Sequence, residues 1–317
     1  MTGRSASAGA SLVGGHLSRV LAAGEFAVTG EIVPPRSADG DAVTRHAREL
    51  VGSIDAANVT DNPTASAHMS AVAGCAFVAR AGIEPTVQIT CRDRNRLAVT
   101  ADLLGAWALG ARNVLCLSGD PMHVGDEPDA ATVGDLTVLD VVRAVRRLRD
   151  DGVTSAGHEM DDPPRYLIGV AEVPLADPYD PARLEQKLDA GADVVFTQIA
   201  YDVEAVSAWA EGIRARGVFE RASVLIGLAP LRTVQGARFM NERLPGVHVP
   251  SPIVAALEAA GDDALEVGIE LTIDVIRGIR AIDGVSGVHL MGMGHDEAVR
   301  AVVERGGLFP RPTGALR

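Results

Sequence analysis

The sequence predicts a single (β/α)8 TIM barrel, an α/β fold, on three observations. Eight short apolar runs rich in Val and Ile recur along the 317 residues, each ending in polar residues, Gly or Pro. Amphipathic helical segments separate the runs, and such alternation is typical of a parallel sheet. Eight parallel strands close into a barrel, whereas an open, doubly wound sheet is the alternative architecture.

The eight apolar runs are too short for isolated core helices and have the composition of strands buried on both faces. They are Phe26–Pro34, Asp55–Asp61, Thr86–Asp93, Asn113–Asp120, Tyr166–Val173, Asp193–Tyr201, Ser223–Leu231 and Val285–Met293. The predicted helices between them are Asp41–Val51, Ala65–Ala81, Arg94–Gly110, Leu136–Asp150, Pro181–Ala190, Val203–Arg216 and Ile253–Ile282. The phrases ALGARNV and DAGADVV each indicate a helix end, a glycine and a new strand.

The chain has no predicted internal domain boundary. Residues 1–15 are rich in Ser, Ala and Gly and lack the continuous apolar segment of a signal peptide, so we expect a flexible tail. Residues 16–317 then form one catalytic barrel domain. Two connections are long, Pro121–Arg165 after strand 4 and Arg232–Gly284 after strand 7. Long loops on a compact scaffold are usually functional.

Composition and charge exclude several classes of protein. The formal net charge is -13 and only 3% of residues are aromatic, which argues against a nucleic-acid partner. No run of about 18 apolar residues predicts a membrane span. The three cysteines form no CxxC pair, which fits reduced thiols in a cytoplasmic protein better than disulfides or zinc. His289 and His295 lack partners at ligand spacing, so no metal is expected.

Polar residues cluster at the ends of the predicted strands, where barrels of this kind place their active sites. These residues are Glu31, Asp61, Arg92, Asp93, Asp120, Glu172, Gln198 and Arg232. Because strand interiors are otherwise apolar, a carboxylate there is costly unless it is paired or used in chemistry. The pattern indicates an enzyme, with Arg232 as a candidate substrate ligand, but it does not identify the reaction.

Glu31 is the sharpest candidate because it lies inside an apolar strand. A carboxyl group in such a place tends to have a raised pKa and can serve as a general acid. The alternative is a buried glutamate neutralised by Arg36 or Arg92.

Asp120 and Gln198 each allow a structural and a functional interpretation. Asp120 ends a strand in Leu-Ser-Gly-Asp-Pro and is either a turn residue or part of a site. Gln198 is an amide within a strand that either forms a core hydrogen bond or binds the edge of a heterocycle such as a pterin. The GxG in Met291–His295 is a weak indication of an anion site.

From Phe26 to about Val303 the chain resembles the methylenetetrahydrofolate reductase family, most closely the branch found in one-carbon-fixing bacteria. The order and spacing of several short motifs carry the resemblance. They are EIVPPR at 31–36, NVTD at 58–61, ITCRDRN at 89–95, LCLSGDP at 115–121, DAGAD at 189–193, TQ at 197–198 and GLAP at 227–230.

The resemblance implies reduction of 5,10-methylenetetrahydrofolate to 5-methyltetrahydrofolate by NAD(P)H, normally through a bound flavin. It implies that Glu31 is the acid, that Asp120 is a catalytic carboxylate beside the pterin and flavin, and that Gln198 binds the pterin. The positions that match the family's flavin contacts are Thr60, Gln88, Thr90, Ser118, Gly119, Asp120, Asp180 and Lys187.

Several of these positions depart from the family pattern. Gln88 replaces a histidine, Ser118 an arginine, and Asp177 a histidine. In the predicted helix Pro181–Ala190, Arg183 and Gln186 replace an asparagine and an arginine. Three arrangements remain open: a repositioned FAD or FMN, a flavin bound at a partner interface, or direct hydride transfer from NAD(P)H.

Two other functions also remain open: a folate-binding barrel for non-redox methyl transfer, and a non-catalytic subunit of a reductase complex. A homo-oligomer or a partner subunit is compatible with each of these functions, reduction included.

Overall fold

The computed structural model describes residues 15–311, so the predicted tail at residues 1–15 lies outside the described residues except for Gly15. Eight strands are present: β1 Ala27–Ile32, β2 Ala56–Val59, β3 Pro85–Thr90, β4 Asn113–Leu117, β5 Leu167–Glu172, β6 Val194–Ile199, β7 Ser223–Leu228 and β8 Val285–Leu290. They form a closed, all-parallel barrel in sequence order, with β1 paired to β8. The predicted fold class is confirmed.

The helices pack around the outside of this barrel, apart from α1 at its base. They are α1 His16–Ala22, α2 Gly40–Leu50, α3 Ala71–Ala81, α4 Arg96–Ala108, α5 Val138–Asp150, α6 Pro181–Ala190, α7 Val203–Arg214, α8 Val218–Arg221, α9 Val234–Arg243, α10 Ser251–Ala260, α11 Ala264–Arg280 and α12 Asp296–Arg305. Within residues 15–311, no helix is long and apolar enough to cross a membrane.

Strand alternation separates two apolar regions. Side chains such as Val28 and Val114 face the helices and join the large outer core. Residues of the opposite parity, such as Ala27 and Leu115, face the barrel interior and pack with Leu17 of α1. Side chains therefore occupy the interior, which is not an open pore.

The connection after β7 differs from the predicted long loop. It contains α9 and α10, and the predicted helix Ile253–Ile282 is broken at Gly261–Asp263 into α10 and α11. The Thr233 hydroxyl accepts from the Gly236 N–H and begins α9, while a proline at the start of α10 supplies a favourable first-turn residue. The connection after β4 does contain a long irregular segment, residues 118–137, interrupted by one short turn of 3-10 helix.

α1 covers the base of the barrel, opposite the ends of the strands that carry the site. Its Leu17, Val20 and Leu21 are buried against the interior core. The Glu84 carboxylate, just before β3, accepts from the backbone N–H groups of His16 and Leu17. This carboxylate satisfies donors that the helix cannot pair internally, and it suits the positive end of the helix dipole.

A buried ion pair ties the end of the described chain to the same base. Arg311 binds Asp55 through two nitrogens, at 2.7 and 3.2 Å, and donates to the Phe26 carbonyl. Asp55 also accepts from the Val28 backbone N–H. Arg311 therefore links the starts of β1 and β2 to the residues that follow α12.

Candidate active site

Glu31 lies near the end of β1, at the mouth of the barrel interior. Its side chain is 20% exposed. Burial raises the pKa of Glu31 to about 7, and a hydrogen bond from Gln88 on β3 offsets part of the increase. Arg36 instead pairs with Asp126, and Arg92 pairs with Asp93. Neither arginine neutralises Glu31, so its carboxyl group can hold a proton near neutral pH.

His289 on β8 is the neighbour of Glu31 on the other side. Its Nε2 lies 4.0 Å from Glu31 Oε2, and its Nδ1 lies 2.9 Å from the Thr29 hydroxyl oxygen. Burial lowers the pKa of His289 to about 4, so the ring is neutral at neutral pH. The edge-to-face contact with Phe196, at 5.4 Å between ring centroids, fixes the ring further.

A buried ion pair supports the strand ends beside Glu31. Arg94 binds both oxygens of Asp61, at 2.6 and 3.1 Å, and donates through Nε to Asp102 at 2.7 Å. The backbone N–H and hydroxyl of Thr90 both donate to Asp61 at 2.8 Å. Asp61 is therefore a structural anchor between the ends of β2 and β3, which explains its place among the polar strand ends.

Asp120 follows β4 and holds the loop after β2. Its Oδ2 accepts from the Thr64 backbone N–H at 2.7 Å, while its side chain stays exposed at the mouth. Asn62, Thr64 and Ala65 all have positive φ values, at 48°, 54° and 54°. Such conformations cost about 1–3 kcal/mol each for ordinary residues and concentrate at functional sites. Asp120 thus stabilises the loop through Oδ2 and leaves its other carboxylate oxygen available to a ligand.

Two glycines allow the loops at the mouth to approach each other closely. A Cβ on Gly125 would lie 1.9 Å from the Ala65 carbonyl oxygen. Gly119 has a φ of 85°, and a Cβ there would lie 3.0 Å from the Arg92 Cβ. Asp126 adds a further link, accepting from the Ala67 N–H at 3.1 Å. The loops after β2 and β4 therefore form one connected wall of the mouth.

Gln198 and Arg232 lie on the far side of the mouth, at the ends of β6 and β7. Gln198 Oε1 accepts from the Ile199 N–H at 3.0 Å, which orients the amide and leaves its NH2 group available. Arg232 is half-buried, and its Nε has no partner among the described protein atoms. A half-buried, partly unpaired guanidinium suits a polar or anionic ligand.

The predicted flavin contacts divide into two groups. Six of them line the mouth at the ends of β2, β3 and β4: Thr60, Gln88, Thr90, Ser118, Gly119 and Asp120. Among these, the Thr60 hydroxyl is buried without a protein partner, whereas the Thr90 hydroxyl is committed to Asp61. The other two, Asp180 and Lys187, belong to α6.

The residues of α6 do not fit a flavin phosphate. Lys187, the one cation among the predicted contacts, donates to Glu172 at 2.7 Å and to the Ala171 carbonyl at 2.6 Å. Asp180 caps the helix through the Ala182 N–H and lies 3.7 Å from Arg183. A phosphate needs unpaired cations or N–H donors, and here the lysine is already neutralised.

Other candidate features carry less chemistry. The GxG segment precedes α12, whose first turn carries Asp296 and Glu297, and two carboxylates there oppose an anion. Cys75, Cys91 and Cys116 are buried free thiols. Within residues 15–311, no group of three or more His, Cys, Asp or Glu side chains is arranged to hold a metal ion.

Sequence reasoning overlooked His289 and Asn58 as neighbours of Glu31. Gly287 on β8 pairs in register with Ala27, which faces the barrel interior. His289 lies two residues further along β8 and therefore also faces the interior. Asn58 pairs in register with Glu31 itself. Neither position can be recognised before the strand pairing is known.

The fold and this site define the class of protein: a (β/α)8 barrel with a buried, protonatable carboxyl group at its mouth. The methylenetetrahydrofolate reductase family model matches residues 16–307, nearly the whole described chain. The chain belongs to the methylenetetrahydrofolate reductase family.

Individual relatives agree with this assignment. Methylenetetrahydrofolate reductase 1 of Schizosaccharomyces pombe is 28% identical over 238 residues, which cover 72% of this chain but 36% of the relative. The chain thus matches about a third of that protein. The 5,10-methylenetetrahydrofolate reductase of Pectobacterium carotovorum subsp. carotovorum is 24% identical over 235 residues, which cover 73% of this chain and 72% of the relative.

A solved structure shares the fold. A protein from Clostridium thermocellum, described as binding two copies of 5-methyl-5,6,7,8-tetrahydrofolic acid, superposes with a TM-score of 0.62. The match covers 92% of this chain and all of that one, at 13% sequence identity.

Proposed function

We propose that this protein reduces 5,10-methylenetetrahydrofolate to 5-methyltetrahydrofolate with hydride from NAD(P)H. The observation that carries the proposal is Glu31, a carboxyl group with a pKa of about 7 at the mouth of a barrel of this family. Opening the imidazolidine ring of the substrate requires an acid that still holds its proton near neutral pH. An ordinary glutamate would be ionised there.

The acid step is a single proton transfer. Glu31 donates its proton to the ring nitrogen of the substrate, the bond from that nitrogen to the methylene carbon breaks, and an iminium cation forms. The nicotinamide then delivers hydride to the iminium carbon, giving the methyl group and an oxidised nicotinamide. Glu31 recovers a proton from water, so each turnover consumes one hydride and one proton.

Three other residues complete the proposed substrate site. Asp120 keeps one carboxylate oxygen unbound at the mouth, where negative charge favours a cationic iminium over the neutral ring. The Gln198 NH2 group is free to bind the pterin. Arg232, half-buried after β7, binds the folate through its guanidinium. A hydrogen bond to a charged group of this kind contributes about 1.5–3 kcal/mol.

Direct transfer from the nicotinamide to the folate is the mechanism that these residues favour. Lys187 is bound by Glu172, and Ser118 and Gln88 are neutral residues at positions where the family pattern has an arginine and a histidine. A flavin phosphate would therefore meet few unpaired donors at the predicted positions, whereas a folate and a nicotinamide need only share the barrel mouth.

The test is the absorbance spectrum of the purified protein from about 300 to 550 nm, followed by addition of NADH or NADPH and methylenetetrahydrofolate. We expect a colourless protein that oxidises the nicotinamide only when the folate is present. Flavin bands that bleach with the nicotinamide and return with the folate would overturn direct transfer but keep the reductase. The Glu31→Gln variant is the matched control, and we expect it to bind folate while losing turnover by orders of magnitude.

Folate binding for non-redox methyl transfer is the second candidate function. The Clostridium thermocellum protein of similar fold, described as binding 5-methyltetrahydrofolic acid, favours it. A colourless protein that binds 5-methyltetrahydrofolate but oxidises neither NADH nor NADPH would support this function and reject reduction.

A further inference from the structure

A row of polar side chains descends through the barrel interior from Glu31. In the strand register, Glu31 on β1 pairs with Asn58 on β2, Asn58 with Thr86 on β3, and Thr86 with Asn113 on β4. In-register neighbours on parallel strands point to the same face of the sheet. We call this row the polar ladder.

The ladder runs from the mouth toward the base because the strands of a barrel are staggered. Glu31 is the fifth residue of β1, Asn58 the third of β2, Thr86 the second of β3 and Asn113 the first of β4. Asn113 Nδ2 then donates to Glu84 Oε1 at 2.9 Å. The ladder therefore joins the acid at the mouth to the carboxylate that holds α1 at the base.

The middle of the ladder is buried and unsatisfied. Asn58 and Thr86 are 0% exposed and Asn113 is 2% exposed. Both Asn58 Oδ1 and Nδ2, the Thr86 hydroxyl and Asn113 Oδ1 lack hydrogen-bond partners among the described protein atoms. Native proteins bond nearly all such atoms, and internal water is the usual partner where protein groups are not in reach.

We propose that the polar ladder binds a chain of internal water molecules, and that this water solvates the Glu31 carboxylate formed when the acid gives up its proton. The proposal rests on the proposed function for the role of Glu31 as an acid. Asn58, the nearest ladder residue, orients the first water toward Glu31, and Thr86 and Asn113 hold those below it. Asn113 is fixed by Glu84, so its Oδ1 remains an acceptor for the lowest water.

Such a water chain explains how Glu31 can both keep and release a proton. The neutral His289 lies 4.0 Å from Glu31, and Gln88 supplies one neutral hydrogen bond. When folate and nicotinamide fill the mouth, bulk water can no longer solvate the new carboxylate. Internal water on the opposite side of Glu31 would then supply the hydrogen bonds that stabilise it.

The experiment follows the protonation of Glu31 by infrared difference spectroscopy against pH, with the Glu31→Gln variant used to assign the carboxyl band. This reading requires no turnover, so it separates failure of the ladder from failure of the reductase function. The variants are Asn58→Val, Thr86→Val and Asn58→Ser. Thr86→Val is nearly isosteric and lies two strands from Glu31, beyond the reach of a direct hydrogen bond, so the proposal requires water to carry its effect on Glu31.

The matched control is Thr272→Val on α11. Thr272 is also 0% exposed, but it lies outside the barrel interior and bonds the Gly268 carbonyl and the Leu231 N–H. The same hydroxyl-to-methyl change there should leave the titration of Glu31 unchanged.

We expect Asn58→Val to raise the pKa of Glu31 by roughly one unit, and Thr86→Val to raise it by less in the same direction. Asn58→Ser retains a hydroxyl and room for water, and should titrate close to wild type. An unchanged titration in Thr86→Val would overturn the water chain, even if Asn58→Val shifts it, because Asn58 would then act alone. A high-resolution crystal structure without ordered water at Thr86 and Asn113 would also overturn it.

Discussion

Glu31 and His289 share one buried corner of the mouth, and burial moves their pKa values in opposite directions. Desolvation disfavours the charged form of each, so it raises the pKa of the carboxyl group to about 7 and lowers that of the imidazole to about 4. Near neutral pH the neutral ring therefore faces a carboxyl group that can hold its proton. The 4.0 Å contact between them is a polar pairing rather than an ion pair.

The raised pKa of Glu31 predicts how stability depends on pH. Between pH 4.5 and about 7 the folded protein retains a proton that the unfolded chain has lost. Stability from this group is present below the unfolded value and is lost as pH rises through about 7. Relative to Glu31→Gln, wild type should lose up to about 3 kcal/mol across this range, measured by urea unfolding at each pH. A constant difference between the two proteins would contradict the raised pKa.

At the scale of single residues, the sequence predicted Glu31 as a buried candidate acid but did not predict which side chains contact it. A carboxylate within an apolar strand can be recognised from the sequence alone, because its burial is costly unless the group is paired or functional. Arg36 and Arg92 were the candidate neutralisers, and both bind aspartates instead. His289 contacts Glu31 across the seam where β8 meets β1, a contact between residues more than 250 positions apart. Only closure of the barrel brings them together.

At the scale of elements, the ends of β2 and β3 are held by one buried ion pair. Arg94 and Asp61 have side-chain exposures of 11% and 1%, whereas Arg96 and Asp135, close by in the fold, have exposures of 62% and 28%. The two arginines thus provide a matched comparison of a buried pair with an exposed one.

Arg94→Ala should destabilise the protein by about 3–5 kcal/mol, because it leaves the Asp61 carboxylate buried without its cation. Arg96→Ala should cause a much smaller loss, since water solvates both partners of that pair. The measurement is the free energy of unfolding in urea for both variants beside wild type. Equal losses in the two variants would show that Asp61 does not depend on Arg94.

Among the elements, periodicity predicted the strands and most of the outer helices, but it predicted neither α1 nor the break between α10 and α11. α1 is only 7 residues long, and the sequence predicts no helix at His16–Ala22. Its stability comes from the Glu84 carboxylate and the barrel interior, which are distant in sequence. The break between α10 and α11 at Gly261 was likewise missed, because the apolar pattern continues across it.

At the scale of the whole molecule, the barrel base is closed by α1 and by the Arg311–Asp55 ion pair. Burial opposes ionisation of Asp55, but hydrogen bonds from His16 and Arg311 and the charge of Arg311 hold its pKa below the ordinary value. Stability from this carboxylate is present above pH 3.8 and is lost as the pH falls through the lowered value.

Arg311→Ala should therefore destabilise the protein by about 3–5 kcal/mol and move acid unfolding to higher pH. The control is Arg305→Ala in α12, which removes an exposed arginine paired with Glu266 and Glu270. Circular dichroism during acid titration of both variants gives the comparison. An acid midpoint that moves equally in both would mean that net charge, rather than the buried pair, sets the response.

Because α1 closes the base of the barrel, it also limits the routes by which ligands can reach the site. Under the proposed function, folate and nicotinamide must then both enter and leave through the mouth. Direct hydride transfer then requires both to be present together, and initial-velocity plots should intersect. A carrier that stored the electrons between two separate visits would instead give parallel lines. A helix of 7 residues on the opposite side of the barrel thereby confines both proposed ligands to the mouth.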